Sequence, residues 1–122
     1  MDPLVLIPGG GEDPDFIYAC GMPLEEGLYL RFAPGDDVLV VSSLELERAR
    51  ATARAARILD REEAGWVEMV DRRAAWAQLA AGLLRQRGVQ RGRVSPRLQV
   101  PYYEALRDAG LEVEIEGDLF VA

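Results

Sequence analysis

The sequence predicts an α/β domain, a mixed β-sheet flanked by helices. Three observations carry this. Short apolar runs alternate with helix-period segments from residue 38 onward, the order that lays helices on a sheet. An earlier pair of apolar runs, 28–32 and 38–41, is separated by Pro34-Gly35 and reads as a hairpin, which gives the sheet an antiparallel part. The length, 122 residues, suits one domain and one core, and 49% hydrophobic with 29% charged residues is ordinary for a folded soluble domain.

In chain order, Leu4–Ile7 is a short buried strand, residues 8–15 are loop, and Asp15–Cys20 reads as a helical turn or a short strand. Along 28–32, Leu28, Leu30 and Phe32 share one face and Tyr29 and Arg31 the other. Ser42 and Glu45 have the spacing of a capping box, opening a helix whose small face is Ala49, Ala53 and Ala56. Ile58-Leu59 and Trp66–Val70 are weaker strand candidates. The 71–87 helix is stronger: Asp71 is placed to cap it, Trp76, Leu79, Ala80 and Leu83 form its apolar stripe, Arg85 and Arg87 suit its negative end, and Gly88 stops it. Arg93–Ser95 is a short strand candidate. Pro101 fits the first turn of a further helix with the stripe Tyr102, Ala105, Leu106 and Ala109. Leu111, Val113 and Ile115 then alternate with Glu112, Glu114 and Glu116, a strand with one wet face.

Composition narrows the chemistry. The net charge is −7, which disfavours nucleic-acid binding because phosphate contacts dominate that affinity. The fourteen basic residues are all arginine, so Schiff-base lysine chemistry and a P-loop lysine are excluded. With no histidine, Ser–His and Cys–His pairs and any histidine-containing metal set are excluded too. Cys20 is the one cysteine, so no internal disulfide forms, and a buried small hydrophobe is its ordinary role. No apolar run approaches the ~20 residues that span a bilayer. The N-terminus does not read as a signal peptide, and the expected location is the cytoplasm with no membrane partner.

Candidate sites compete with ordinary readings. Gly9–Gly11 follows a strand as a phosphate loop does, but Glu12, Asp13 and Asp15 come next and repel phosphate, and no nucleotide fingerprint is present. Those three acids are oxygen ligands of the kind a hard cation takes, without EF-hand spacing. The adjacent pairs Asp36-Asp37 and Glu62-Glu63 read as solvated acidic loops, and no spacing selects one carboxylate pair for acid/base work. Arg50, Arg54, Arg57 and Arg61 recur at helical spacing, either as an anion stripe or as a salt-bridged face with Glu45 and Glu47. No self-sufficient active site emerges.

The string "DPDFIYACGM", the hairpin, and "SSLELERARATA" together resemble the N-terminal domain of the creatinase, prolidase and aminopeptidase P family. Tyr18, Gly21 and Met22 occupy the Tyr, Gly and Phe positions of that family's "YLTGF"-like segment. Glu45, Glu47, Arg48 and Ala49 sit in its helix opening, and "VPYYEALRDAGLEVEIEGDLF" resembles its closing helix and strand. Departures are Ala19-Cys20 for the usual Leu-Thr, Met22 for an aromatic, and a missing first helix.

The resemblance implies a ribonuclease H-like architecture over residues 1–122 as a single domain, with the catalytic pita-bread domain absent from this chain. It implies a non-catalytic role in subunit association and in shaping a substrate site. The two divalent metals of the parent, such as Mn, Co or Zn, would lie elsewhere, and no cofactor is expected here. The expected partners are a second copy in a dimer and a C-terminal catalytic domain. The loop Gly21–Gly27 is the implied functional edge. Met22, Pro23, Leu24, Glu25 and Glu26 would face a partner's pocket with Tyr18 behind them, or Met22 and Leu24 would fold back onto their own core. The alternative function is a stand-alone interaction or small-ligand domain that kept the fold without peptidase chemistry.

Overall fold

The structure is a computed structural model that describes residues 2–9 and 13–117. Gly10, Gly11 and Glu12, which carried the phosphate-loop reading and part of the cation reading, lie outside the described residues, as does the segment 118–122. The elements are β1 (Leu4–Leu6), α1 (Pro14–Cys20), β2 (Leu28–Ala33), β3 (Asp36–Val41), α2 (Leu46–Thr52), β4 (Arg57–Asp60), α3 (Arg61–Ala64), α4 (Arg72–Gln86), β5 (Arg91–Val94), α5 (Val100–Asp108) and β6 (Glu112–Ile115). The strands form one sheet in the order β4-β3-β2-β1-β5-β6. Among them β2 alone runs against the others: it is antiparallel to β1 and β3, while β3–β4, β1–β5 and β5–β6 pair parallel.

Strand periodicity sends alternate side chains to opposite faces, and here the central strands are buried on both. Val5, Ile7, Leu28, Leu30, Val38 and Val40 enter one core with α4 and with Leu106 of α5. Leu4, Leu6, Tyr29, Leu39 and Val41 enter a second core with Phe16 of α1 and Ala49 of α2. The split of residues 28–32 into two faces holds. So does the stripe of α4, where Trp76 and Ala80 are fully buried and Leu79 and Leu83 nearly so.

The β3–α2–β4 crossover moves outward to one edge with its helix in the second core, and β5–α5–β6 moves to the other edge with its helix in the first. Helices on opposite faces for opposite directions are what a single crossover handedness demands. Glycine is required where β5 meets β1, because a Cβ on Gly92 would lie 2.8 Å from Val5 Cγ2.

Four expectations are corrected. Trp66–Val70 is not a strand: Trp66 turns inward onto Trp76, while Val67 and Val70 stand in solvent with no strand beside them. The capping box does not close. Residues 43–45 form a turn, α2 starts at Leu46, and Glu45 pairs instead with Arg48 at 2.6 Å. Because α2 ends at Thr52, Ala56 leaves the helical face. The arginine stripe is broken for the same reason, with Arg50 on α2, Arg57 on β4 and Arg61 on α3. Asp60, which ends β4, caps α3 by accepting from Glu62 N at 3.0 Å, so the chain turns sharply off the sheet edge.

The fold predicts that Leu84→Ala, at a side chain with no exposure, lowers unfolding free energy by ~2–5 kcal/mol in urea melts. Gln78→Ala, on the exposed side of the same helix, should change it by less than about 0.5 kcal/mol.

Candidate functional site

The loop 21–27 crosses one end of the sheet and is tied to both cores. It leaves α1 at Gly21, whose φ of 83° is the left-handed conformation glycine adopts at no steric cost. A Cβ there would also meet Arg54 Nε at 2.9 Å. Met22 and Leu24 then drop into the second core, 0% and 2% exposed. Between them Pro23 O accepts a hydrogen bond from Arg48 Nη2 of α2 at 3.3 Å.

Glu26 reaches the opposite layer. Its carboxylate accepts from Arg72 Nε and Nη2, both at 2.8 Å, and from Trp76 Nε1 at 3.0 Å. The Arg72 hydrogen bonds hold its carboxyl below the usual glutamate range against the opposing effect of burial, with Trp76 assisting. Trp76 packs edge-on against Trp66 at 4.8 Å, and the Arg61 guanidinium lies 4.3 Å from the Trp66 ring centroid. Arg61 Nη1 is the buried side-chain nitrogen that has no hydrogen-bond partner among the described residues. It lies beside the two indoles, whose faces attract cations.

Of the six residues the resemblance singled out, Met22 and Leu24 therefore fold back on their own core, Glu26 is pinned to α4, and Pro23 and Glu25 stay exposed. Tyr18 lies apart. It is 63% exposed and lines a hollow of about 520 Å³ with Arg31, Asp37 and Arg54 near the hairpin turn at Gly35. Its carbonyl accepts from Arg54 Nη2 at 3.2 Å. Two of its lining residues join a hydrogen-bonded chain: Arg31 Nε donates to Tyr29 Oη at 3.0 Å, Tyr29 donates to Asp37 at 2.6 Å, and Asp37 also accepts from Ala56 N at 2.6 Å. Burial, reinforced by Asp37, pushes the Tyr29 phenol up to about 12.

Asp13 and Asp15, two of the three acids offered as cation ligands, have other partners. Asp13 caps α1, accepting from Asp15 N and Phe16 N, and also from Gly9 N at 3.1 Å. Asp15 accepts from the Ser95 hydroxyl and faces Arg97 at 3.4 Å. Asp36 forms a two-point pair with Arg87 at 2.8 and 3.0 Å. Among the described residues no three His, Cys, Asp or Glu side chains converge as a group that could hold a metal ion.

Cys20 is buried and its thiol is pushed up, first by desolvation, while Sγ donates to Met22 O at 3.5 Å. A thiol in that setting packs rather than reacts. No helix of the described residues is long and apolar enough to cross a membrane.

Sequence reasoning missed Arg72, Trp66, Trp76, Arg61 and the Ser95–Arg97 pair. The Glu26–Arg72 contact spans 46 residues, and no local pattern announces a pairing at that separation. The Trp66 and Trp76 indoles were the available signal, but Trp66 reads locally as part of a strand and Trp76 as part of an apolar stripe.

No protein-family model matches the chain, and no curated protein matches it significantly. Solved structures do. An Xaa-Pro aminopeptidase from Streptococcus pyogenes superposes with a TM-score of 0.68 at 15% identity, over 94% of this chain and 78% of that one. An X-Pro aminopeptidase from Thermotoga maritima gives 0.73 at 10% identity, over 97% of this chain and 31% of that one. An Xaa-Pro dipeptidase from Bacillus anthracis gives 0.70 at 14%, over 95% and 29%. At these identities the likeness is one of fold. The α/β fold with its mixed sheet is shared with Xaa-Pro aminopeptidases and prolidases along nearly the whole chain.

The Glu26 pair sets a pH dependence. A carboxyl depressed in the folded state stabilises fully above the ordinary glutamate range, and this is lost as pH falls through its lower folded value. Glu26→Gln should therefore cost about 0.5–1 kcal/mol at neutral pH, discounted for the pair's partial exposure, and the difference from wild type should shrink toward zero in strong acid. Urea melts across the acid range measure this, and a pH-independent difference would contradict the pairing.

Proposed function

We propose that this chain is a non-catalytic domain of the kind found at the N-terminus of Xaa-Pro peptidase-like proteins, serving subunit association and the shaping of a substrate site. The observation that supports this most is the fold shared with Xaa-Pro aminopeptidases and dipeptidases over 94–97% of the chain. The match is to a minor part of the longer structures, 31% and 29% of their chains. A hydrolytic reaction, with two divalent metals such as Mn, Co or Zn activating a water, would belong to a further domain.

The loop 21–27 is the element through which this domain would act. Loops fixed on rigid scaffolds are where binding contacts concentrate. In this loop Met22 and Leu24 serve as buried anchors and Glu26 as a pin, which leaves Pro23 and Glu25 as the residues presented outward. The partners in this reading are a second copy and a catalytic domain.

The coding sequence downstream of codon 122 tests the assignment directly. Continuation into a segment with an Asp, Asp, His, Glu, Glu ligand set supports it. A stop codon there favours the stand-alone interaction domain instead. The purified chain, assayed on Xaa-Pro peptides with Mn²⁺, Co²⁺ or Zn²⁺, should show no turnover; activity that follows the chain through successive columns would overturn the non-catalytic reading. In a longer parent, Glu25→Gln should lower kcat/KM with Tm unchanged. Met22→Ala should lose ~2–5 kcal/mol of stability, because it empties a core site.

A further inference from the structure

The hollow beside the hairpin turn is where the chain leaves positive charge without a carboxylate partner. Arg48, Arg72, Arg87, Arg91, Arg93 and Arg97 each end in an ion pair within the fold. Arg31 and Arg54 form none among the described residues, although Asp37 lines the same hollow.

The reason lies in the strand register. Arg31 and Asp37 are cross-strand partners on β2 and β3, but the Tyr29 hydroxyl joins them, accepting from Arg31 Nε and donating to Asp37 Oδ2. Asp37 Oδ1 accepts from Ala56 N. Neutral donors therefore engage both oxygens of the carboxylate. The Tyr29 phenol, pushed up to about 12, remains such a donor throughout neutral pH. Arg31 keeps two Nη groups that no acceptor takes among the described residues. Arg54 donates from Nη2 to the Tyr18 carbonyl at 3.2 Å and keeps Nη1. Its backbone is fixed as well, since Arg54 N donates to Cys20 O at the end of α1 at 2.6 Å.

Three elements thus hold two guanidiniums around one space: the last turn of α1, the β2–β3 hairpin, and the segment 53–56 between α2 and β4. The space is about 520 Å³, inside the roughly 300–1,000 Å³ of small-molecule sites. Two guanidiniums against one carboxylate leave a single positive charge, on a chain whose net charge is −7. That balance suits a monoanion. A planar carboxylate matches the arginine fork. A phosphate monoester brings about −1.5 to −2 charges at neutral pH and sets the excess against Asp37. Exposed Tyr18, with Ala55 and Ala56, lines the rest of the space and gives the carbon end of a ligand an apolar wall.

We propose that this hollow binds a small monoanionic carboxylate between Arg31 and Arg54. The site lies at the end of the sheet where β3 and β4 begin, and it does not depend on the peptidase-like reading.

NMR titration of the ¹⁵N-labelled full chain with sodium benzoate, at fixed ionic strength and neutral pH, tests it. The expected result is saturable shifts of the Arg31 and Arg54 Nε–Hε signals. The dissociation constant should be on the order of 1 mM, which two charge-assisted contacts supply. Benzamide, the neutral isostere, should leave both signals in place, and inorganic phosphate should bind at least tenfold more weakly. Arg31→Gln and Arg54→Gln should each weaken benzoate binding at least tenfold. Arg73→Gln, at an exposed arginine of α4, should bind benzoate as wild type does. The wild-type signals carry the test even where a variant fails to fold. Benzoate shifts that do not saturate, that benzamide reproduces, or that Arg73→Gln weakens as much as the other two, overturn the site. Phosphate binding as tight as benzoate overturns the carboxylate assignment.

Discussion

The burial of β1 and β2 on both faces is the constraint from which the rest follows. Leu4, Val5, Leu6, Leu28, Tyr29 and Leu30 are each 3% exposed or less, and their side chains divide between two separate cores. A sheet sealed on both sides at its centre keeps its connections at its ends, while its edge strand β6 stays largely exposed. The connection from α1, which lies in one layer, back to β2 at the centre must then pass over such an end. The loop 21–27 makes that passage with Met22 and Leu24 held in one layer and Glu26 held in the other.

Charge-assisted hydrogen bonds are the stronger class, and a bidentate arginine adds geometric definition. Glu26 accepts three such contacts from one helix, two of them from the Arg72 fork. The same helix turn carries Trp76 against Trp66 and, through it, Arg61. One carboxylate therefore connects the loop, α4 and the segment after α3.

Much of the fold was legible in the sequence because it is written in local periodicity. The face split of residues 28–32, the hairpin at Pro34-Gly35, the 71–87 helix with Asp71 as cap and Gly88 beyond it, and the Glu-bearing last strand were all readable from spacing alone. The misreadings share a cause. Trp66–Val70 is apolar enough for a strand, but only Trp66 has a place in a core, and the four residues after it are exposed. Ser42 and Glu45 have capping-box spacing, but Glu45 has Arg48 three residues on and α2 starts one residue after it. The site was legible only in part. The loop's position came from resemblance, and its anchoring did not, because Glu26 finds Arg72 and Trp76 across the fold rather than along the chain. The acids at 13 and 15 looked like cation ligands for the converse reason, since the N–H groups and the Ser95 hydroxyl that occupy them are brought in by the helix start and by β5.

Backbone ¹⁵N order parameters of residues 22–27 test the central claim most directly, that this loop is a strap fixed to both cores. The anchored loop predicts values near ~0.85, level with the helices. Values below about 0.6, the range of flexible segments, would contradict it and leave Pro23 and Glu25 on a surface with no defined shape to present.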